Sequence, residues 1–298
     1  RPSCVFFKSV GLNVAADSFV QLSLLELNGG LVAILGDDPG ANSSQNEQDN
    51  RHIARLAYIP VLEPASPAEA YTFYLEAMKL SRKRKMPVIL RMTTHVCHGK
   101  EKVSFAGWTP RPIGSVPAFD SSAGPSIPLT TRALDMKRRA IARLAEVAQE
   151  TDGSPLHELR EGNDPSKGVI TAGLPFRSLV DVLEDAAEKP DILKLGVVHP
   201  LPKGLVADFL RSHASVKVLE ELDDVLEREI KALAFDLGIR TVIVGKTDPE
   251  DWIGEYTPDK VAEVLAKTWP SLVPHKSAER AATLAPRPPQ MCPGCGHR

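Results

Sequence analysis

Short apolar runs and amphipathic stretches alternate along this chain, and the pattern predicts strands alternating with helices. Residues 4–10 (CVFFKSV) read as a strand, and 13–27 (NVAADSFVQLSLLEL) as an apolar helix closed by Asn28-Gly29-Gly30. The run LVAILG at 31–36 is continuously aliphatic, the signature of a parallel strand covered on both faces. A polar stretch at 37–50 leads to a short helix over 51–57 and a brief strand over 59–63. Ser66-Pro67-Ala68-Glu69 has the spacing of a helix start: a hydroxyl at the cap, proline at the first helical position, glutamate three residues on. That helix runs to Lys85, and PVILRM at 87–92 is the next strand.

Between 99 and 130 the pattern is lost among scattered Gly, Pro and Ser, and a helix over 131–150 follows. So long a stretch without regular structure is uncommon inside one compact domain, and it predicts a boundary. A second alternating unit begins near Lys167. Its strands are KGVITAG (167–173), ILKLGVV (192–198), VKVLEE (216–221) and RTVIVG (240–245). Helices over 175–187, 203–212 and 224–237 separate them, and a last helix lies near 258–269 before a Pro-rich linker. The expected fold class is α/β: two doubly wound parallel-sheet domains joined by an irregular linker.

Composition narrows the function classes. With 298 residues, a formal net charge of −2 and 25% charged residues, the chain lacks the basic excess of a nucleic-acid or anionic-membrane binder. It contains no apolar run of the roughly 20 residues a membrane helix requires. Of its four cysteines, two form a single C-x-x-C, which is not a secreted disulfide framework. A reducing cytoplasm is the expected compartment. Arg1 stands where a start methionine would, next to an apolar strand, so the sequence reads as an internal piece of a longer polypeptide.

Several positions could carry chemistry. Asp37 to Asp49 leaves the carboxyl end of a buried parallel strand, where open α/β sheets place ligand crevices. Its amides and hydroxyls suit a polar ligand, or equally a solvated turn opened by Asp38-Pro39-Gly40. Gly11 permits a tight turn at another strand-to-helix junction. Arg91, Thr93, Thr94 and His95 end a strand, and His95 and His98 flank Cys97; a surface histidine pair fits that spacing better than a metal site. Glu220-Glu221 and Asp223-Asp224 suit the start of the following helix, where negative charge is favoured. Cys292-Pro293-Gly294-Cys295 can present two thiolates to one metal centre, zinc or iron–sulfur, or form a redox pair.

Taken in order, KSVGLNVAADS (8–18), GGLVAILGDDPGANSSQNEQDNRHIARLAYIPVLEPASPAEAY (29–71), PVILRMTTHVCH (87–98), LKLGVVHPLP (193–202), VKVLEELDDVLEREIKALA (216–234) and RPPQMCPGCGHR (287–298) resemble the large subunit of indolepyruvate ferredoxin oxidoreductases. These are thiamine-diphosphate-dependent 2-oxoacid:ferredoxin oxidoreductases. The resemblance implies oxidative decarboxylation of an arylpyruvate such as indolepyruvate, with coenzyme A as acyl acceptor and ferredoxin as electron acceptor. It also implies Mg2+, [4Fe–4S] clusters, a small beta subunit as partner and a hetero-oligomer. By the same resemblance, residues 1–98 are the latter half of a pyrimidine-binding domain and 99–166 a connector with a helix. Residues 167–248 are a transketolase C-terminal-like domain, 249–288 a helix and linker, and 289–298 the start of a diphosphate-binding domain. The cofactor-activating glutamate is expected upstream of Arg1 and the magnesium motif downstream of Arg298, which leaves no catalytic residue in this stretch. Ser43, Ser44, Gln45, Asn46, Glu47, Gln48 and Asp49 are expected to face the active-site crevice or a partner domain, and Cys292 and Cys295 to ligate a metal centre. The alternatives are a related oxidoreductase with another 2-oxoacid substrate, or a non-catalytic subunit holding zinc.

Overall fold

The computed structural model describes residues 1–105, 107 and 127–273. The first unit comprises β1 (Ser3–Lys8), α1 (Gly11–Gln21), β2 (Leu31–Gly36), α2 (Arg51–Leu56), β3 (Val61–Leu62), α3 (Pro67–Arg84), β4 (Pro87–Met92) and α4 (Thr94–His98). The long α5 (Thr130–Thr151) and β5 (Glu158–Arg160) lead to β6 (Asp164–Thr171), α6 (Leu174–Val182), β7 (Pro190–Lys194) and β8 (Val197–His199). Then come α7 (Lys203–Ser212), β9 (Ser215–Leu219), α8 (Val225–Asp236), β10 (Val242–Val244) and α9 (Pro258–Thr268). Two five-stranded sheets result, ordered β1-β2-β4-β3-β8 and β10-β9-β6-β7-β5. In each, four strands run parallel and one edge strand is antiparallel: β8 on β3, and β5 on β7. The expected α/β class and paired sheets are observed.

Local chemistry explains the elements. At the start of α3, Ser66 Oγ accepts from Glu69 N at 3.3 Å, while the Glu69 carboxylate reaches one residue further back, to Ala65 N at 2.8 Å. Lys85 closes that helix in the left-handed conformation at φ 51°. The helix expected over 13–27 is shorter, stopping at Gln21 with a tight turn over Leu22–Leu24. The helix expected over 175–187 stops at Val182.

The run 192–198 is not one strand. It leaves the second sheet at Lys194 and joins the first at Val197. Gly196 sits at the crossing, where a Cβ would fall 2.3 Å from the Leu156 carbonyl oxygen, and its own carbonyl accepts from Glu63 N at 2.9 Å. Apolar periodicity cannot register this, because both halves of the run are buried in their respective sheets. The short β5 also escaped the pattern, since two of its three residues are charged.

The core follows the same stitching. One apolar cluster joins Leu12, Phe19, Leu35 and Ile89 of the first unit to Val198, Val216 and Ile230 of the second. A smaller cluster lies under α6 and α9, and another between α3 and the first sheet. Each fully buried Leu, Ile or Phe contributes about 1.5–3 kcal/mol. The shared cluster therefore fixes how the sheets face each other. Among the described residues no helix is long and apolar enough to cross a membrane.

Candidate functional site

The carboxyl ends of β2, β3 and β4 meet the carboxyl end of β9, and the residues just beyond these strands are charged and buried. Asp37, Asp49, Arg51, Glu63, Arg91, Glu220 and Glu221 are each at most 7% exposed. Arg51, at the first position of α2, donates to Asp49 through Nε and Nη2 at 3.0 and 2.6 Å, and through Nη1 to Glu220 at 2.7 Å. Its Nη2 also donates to the carbonyls of Glu221 and Asp223, both at 2.9 Å. Arg91, in β4, donates to Asp37 at 2.6 Å and to Glu63 at 2.7 Å. Burial works against both guanidinium charges. The facing carboxylates outweigh it and hold both groups above their ordinary range. In return, the two arginines overcome the burial of Asp49 and hold it well below the usual carboxylate range.

Glu220 and Glu221 divide their roles. The Glu220 carboxylate accepts from Leu226 N and Glu227 N at 2.9 and 2.8 Å, so it caps the first turn of α8 as its spacing predicts. Glu221 accepts from Tyr256 N at 3.0 Å, and burial pushes its carboxyl up to about 7. Asp223 pairs with His52 at 2.8 Å and Asp224 with Arg228 at 2.7 Å.

The segment after β2 is held from below. Asp38 accepts from Asn42 N at 3.1 Å, Ser43 N at 2.8 Å and Thr94 Oγ at 2.9 Å. Burial works against its charge, but these donors win and leave it below its ordinary value. Lys8 Nζ donates to the Ser43 carbonyl. Gln48 exchanges hydrogen bonds with Asn13 at 2.8 and 2.9 Å, and Asn50 donates to Asp37 and to the Ser9 carbonyl at 2.5 and 3.1 Å. Ser43, Gln45 and Asn46 are exposed, Ser44, Glu47 and Gln48 half-buried, and Asp49 buried. The structure thus separates this stretch into an open tip and an anchored end. The turn at Gly11 opens α1, whose Asn13 is one of the anchors.

His95 and His98 are exposed and stand outside the buried cluster. His95 lies on the short α4 against Glu255 at 2.7 Å. Among the described residues no group of three His, Cys, Asp or Glu is placed to hold a metal ion. Cys292 and Cys295 fall outside the described residues.

Sequence reading passed over Arg51, Glu63, Lys246 and Tyr256. The signal for Arg51 is a cation at the N-terminal end of a helix, the end at which the helix dipole disfavours it. For Lys217 and Lys246 the signal is a lysine within or directly after an apolar strand run. Both are buried.

Comparison with known proteins bears out the resemblance. No protein-family model matches the chain. The indolepyruvate oxidoreductase subunit IorA of Methanothermobacter marburgensis is 37% identical over 300 residues, covering 99% of this chain and 48% of that protein. IorA of Pyrococcus abyssi is 35% identical over 303 residues and that of Archaeoglobus fulgidus 32% over 300, covering 98% and 97% of this chain. The chain spans about half the length of the curated relatives it matches. In fold, it is similar to a 2-oxoglutarate:ferredoxin oxidoreductase from Magnetococcus marinus, at a TM-score of 0.60 and 14% identity, over 89% of this chain and 52% of that one. A split-gene transketolase follows at 0.50 and 13%, over 91% of this chain and 75% of that one.

Proposed function

We propose that this chain forms part of a cytoplasmic oxidoreductase that oxidatively decarboxylates arylpyruvates such as indolepyruvate, passing the acyl group to coenzyme A and electrons to ferredoxin. The carrying observation is similarity over nearly the whole chain to subunits named indolepyruvate oxidoreductase. The fold likeness to a 2-oxoacid:ferredoxin oxidoreductase supports the same class. On this reading, residues 1–98 complete a pyrimidine-binding domain and 167–248 form a transketolase C-terminal-like domain, with the connector 99–166 between them. Residues 249–288 lead to a diphosphate-binding domain starting at 289, and a small beta subunit and ferredoxin are the partners.

Thiamine diphosphate, when bound, supplies the electron sink for loss of carbon dioxide. The buried carboxylates Asp37, Asp49, Glu63 and Glu220 do not fit its magnesium, because Arg51 and Arg91 already engage them. No step is therefore assigned to them. The role left to this chain is to present Ser43 to Gln48 towards the active-site crevice or the partner domain, and to bring Cys292 and Cys295 to a [4Fe–4S] cluster.

The test is to purify the protein as expressed from its own gene, with its partner subunit. Coenzyme-A-dependent reduction of ferredoxin is then followed with indolepyruvate, phenylpyruvate and 2-oxoglutarate. The arylpyruvates should support turnover. Turnover with 2-oxoglutarate alone would reassign the substrate, and none with any 2-oxoacid would overturn the reading.

A further inference from the structure

The stretch from Asn42 to Gln48 contains no apolar side chain, so its conformation rests on polar ties alone. Those ties come from two directions. From its own unit it is held by Lys8, Asn13 and the Asp38 turn. From the second unit it is held at two further points. Gly254 N donates to Glu47 at 2.8 Å, and a Cβ on Gly40 would lie only 3.8 Å from the Gly254 Cα. At the end of the stretch, Asp223 N donates to Asp49 at 3.2 Å, and Asp49 fixes the guanidinium of Arg51. Arg51 also reaches Glu220 through Nη1, and the carbonyls of Glu221 and Asp223 through the same Nη2 that serves Asp49, all in the second unit. Glu220 is itself immobilised by two amides of α8.

We propose that the second unit is a clamp on the Ser43–Gln48 segment, with Arg51 and Glu47 as its two positioning residues. Arg51 acts from beneath through Asp49 and sets where the segment ends. Glu47 acts at the edge and sets how the open tip is turned. A guanidinium suits the first task because its rigid fork can serve a carboxylate bidentately and still reach further acceptors in fixed directions. The clamp gives the second unit a role in positioning this segment. Its effect on substrate rests on the proposed reading that this segment faces the crevice.

The test uses the gene-encoded protein with its partner subunit and the variants Glu47→Ala, Glu47→Gln and Arg51→Lys. Hydrogen-exchange mass spectrometry reads the amides of Asn42, Ser43 and Gly254 against those of β2 and β9. Removing the charged acceptor of Gly254 N should speed exchange of that amide by about tenfold or more in Glu47→Ala, with a smaller rise at the Asp38-bound amides of Asn42 and Ser43. Glu47→Gln should stay near the parent, because its amide oxygen still accepts from Gly254 N, and β2 and β9 should not change. Arg51→Lys should loosen the same amides; if it fails to fold, the Glu47 pair carries the test. Equal exchange in Glu47→Ala and the parent would overturn the clamp. In the same samples, KM for the 2-oxoacid should rise several-fold in Glu47→Ala with a smaller change in kcat, and return in Glu47→Gln. Faster exchange with unchanged kinetics would uphold the clamp and overturn the crevice-facing reading of the segment.

Discussion

Two buried charge clusters meet at Glu220 and are built differently. On one side its carboxylate takes Arg51, in a seam that crosses between the units. On the other its backbone carbonyl takes Lys246 at 2.6 Å, in a cluster internal to the second unit. Lys246 also donates to the Asp251 carbonyl and the Tyr256 hydroxyl, and Lys217 donates to the Gly245 carbonyl at 2.6 Å. The arginines face carboxylates directly and are held above their ordinary range. The lysines face mainly carbonyls and a phenol, and burial pushes both down to about 8. Around Arg51 and Arg91, charge is matched by charge. Around Lys217 and Lys246, charge is met mainly by dipoles, and it remains titratable.

The sharpest way to break that contrast is Arg51→Met. It leaves Glu220 buried without its hydrogen-bonded cation and Asp49 with only Arg91 at 3.8 Å, and unfolding by urea should show a loss of about 3–5 kcal/mol. Lys246→Met removes a donor from two carbonyls and a hydroxyl but strands no carboxylate, so the same measurement should show about 1–3 kcal/mol. Equal losses in the two variants would erase the distinction.

The pH response should separate them further. Between about 8 and 10.5 the unfolded chain binds more protons at Lys217 and Lys246 than the folded one. Their contribution therefore makes the fold more stable as pH rises through that window, and Lys246→Met should flatten the slope. Glu221 acts with the opposite sign. Its carboxyl moves from 4.5 to about 7 on folding, so the folded chain binds the extra proton and stability falls as pH rises across that interval. Glu221→Gln should remove this fall; denaturant titrations at constant ionic strength check both slopes. The smallest effect belongs to exposed pairs such as Lys79–Glu76, where Lys79→Ala should change stability by less than about 0.5 kcal/mol.

Legibility followed the same division. The helix start at Ser66, the strand at 31–36 and the capping carboxylate at Glu220 could be read because each depends on neighbours a few residues away. The polar stretch 37–50 could be read as loaded, but not as an open tip joined to a buried anchor. That split depends on Asn13, Arg51 and Gly254, which lie elsewhere in the chain or across the seam.

By itself, the sequence determined the alternation of strands and helices, the α/β class and the family resemblance, because periodicity, caps and motifs are local properties of the chain. Only the tertiary structure decided that the run 192–198 serves two sheets and that Arg51 spans two units. It also decided that the strand-end carboxylates are engaged by arginines. A buried charge persists only where a partner of opposite sign is brought to it, and that partner is chosen by packing between residues far apart in the chain.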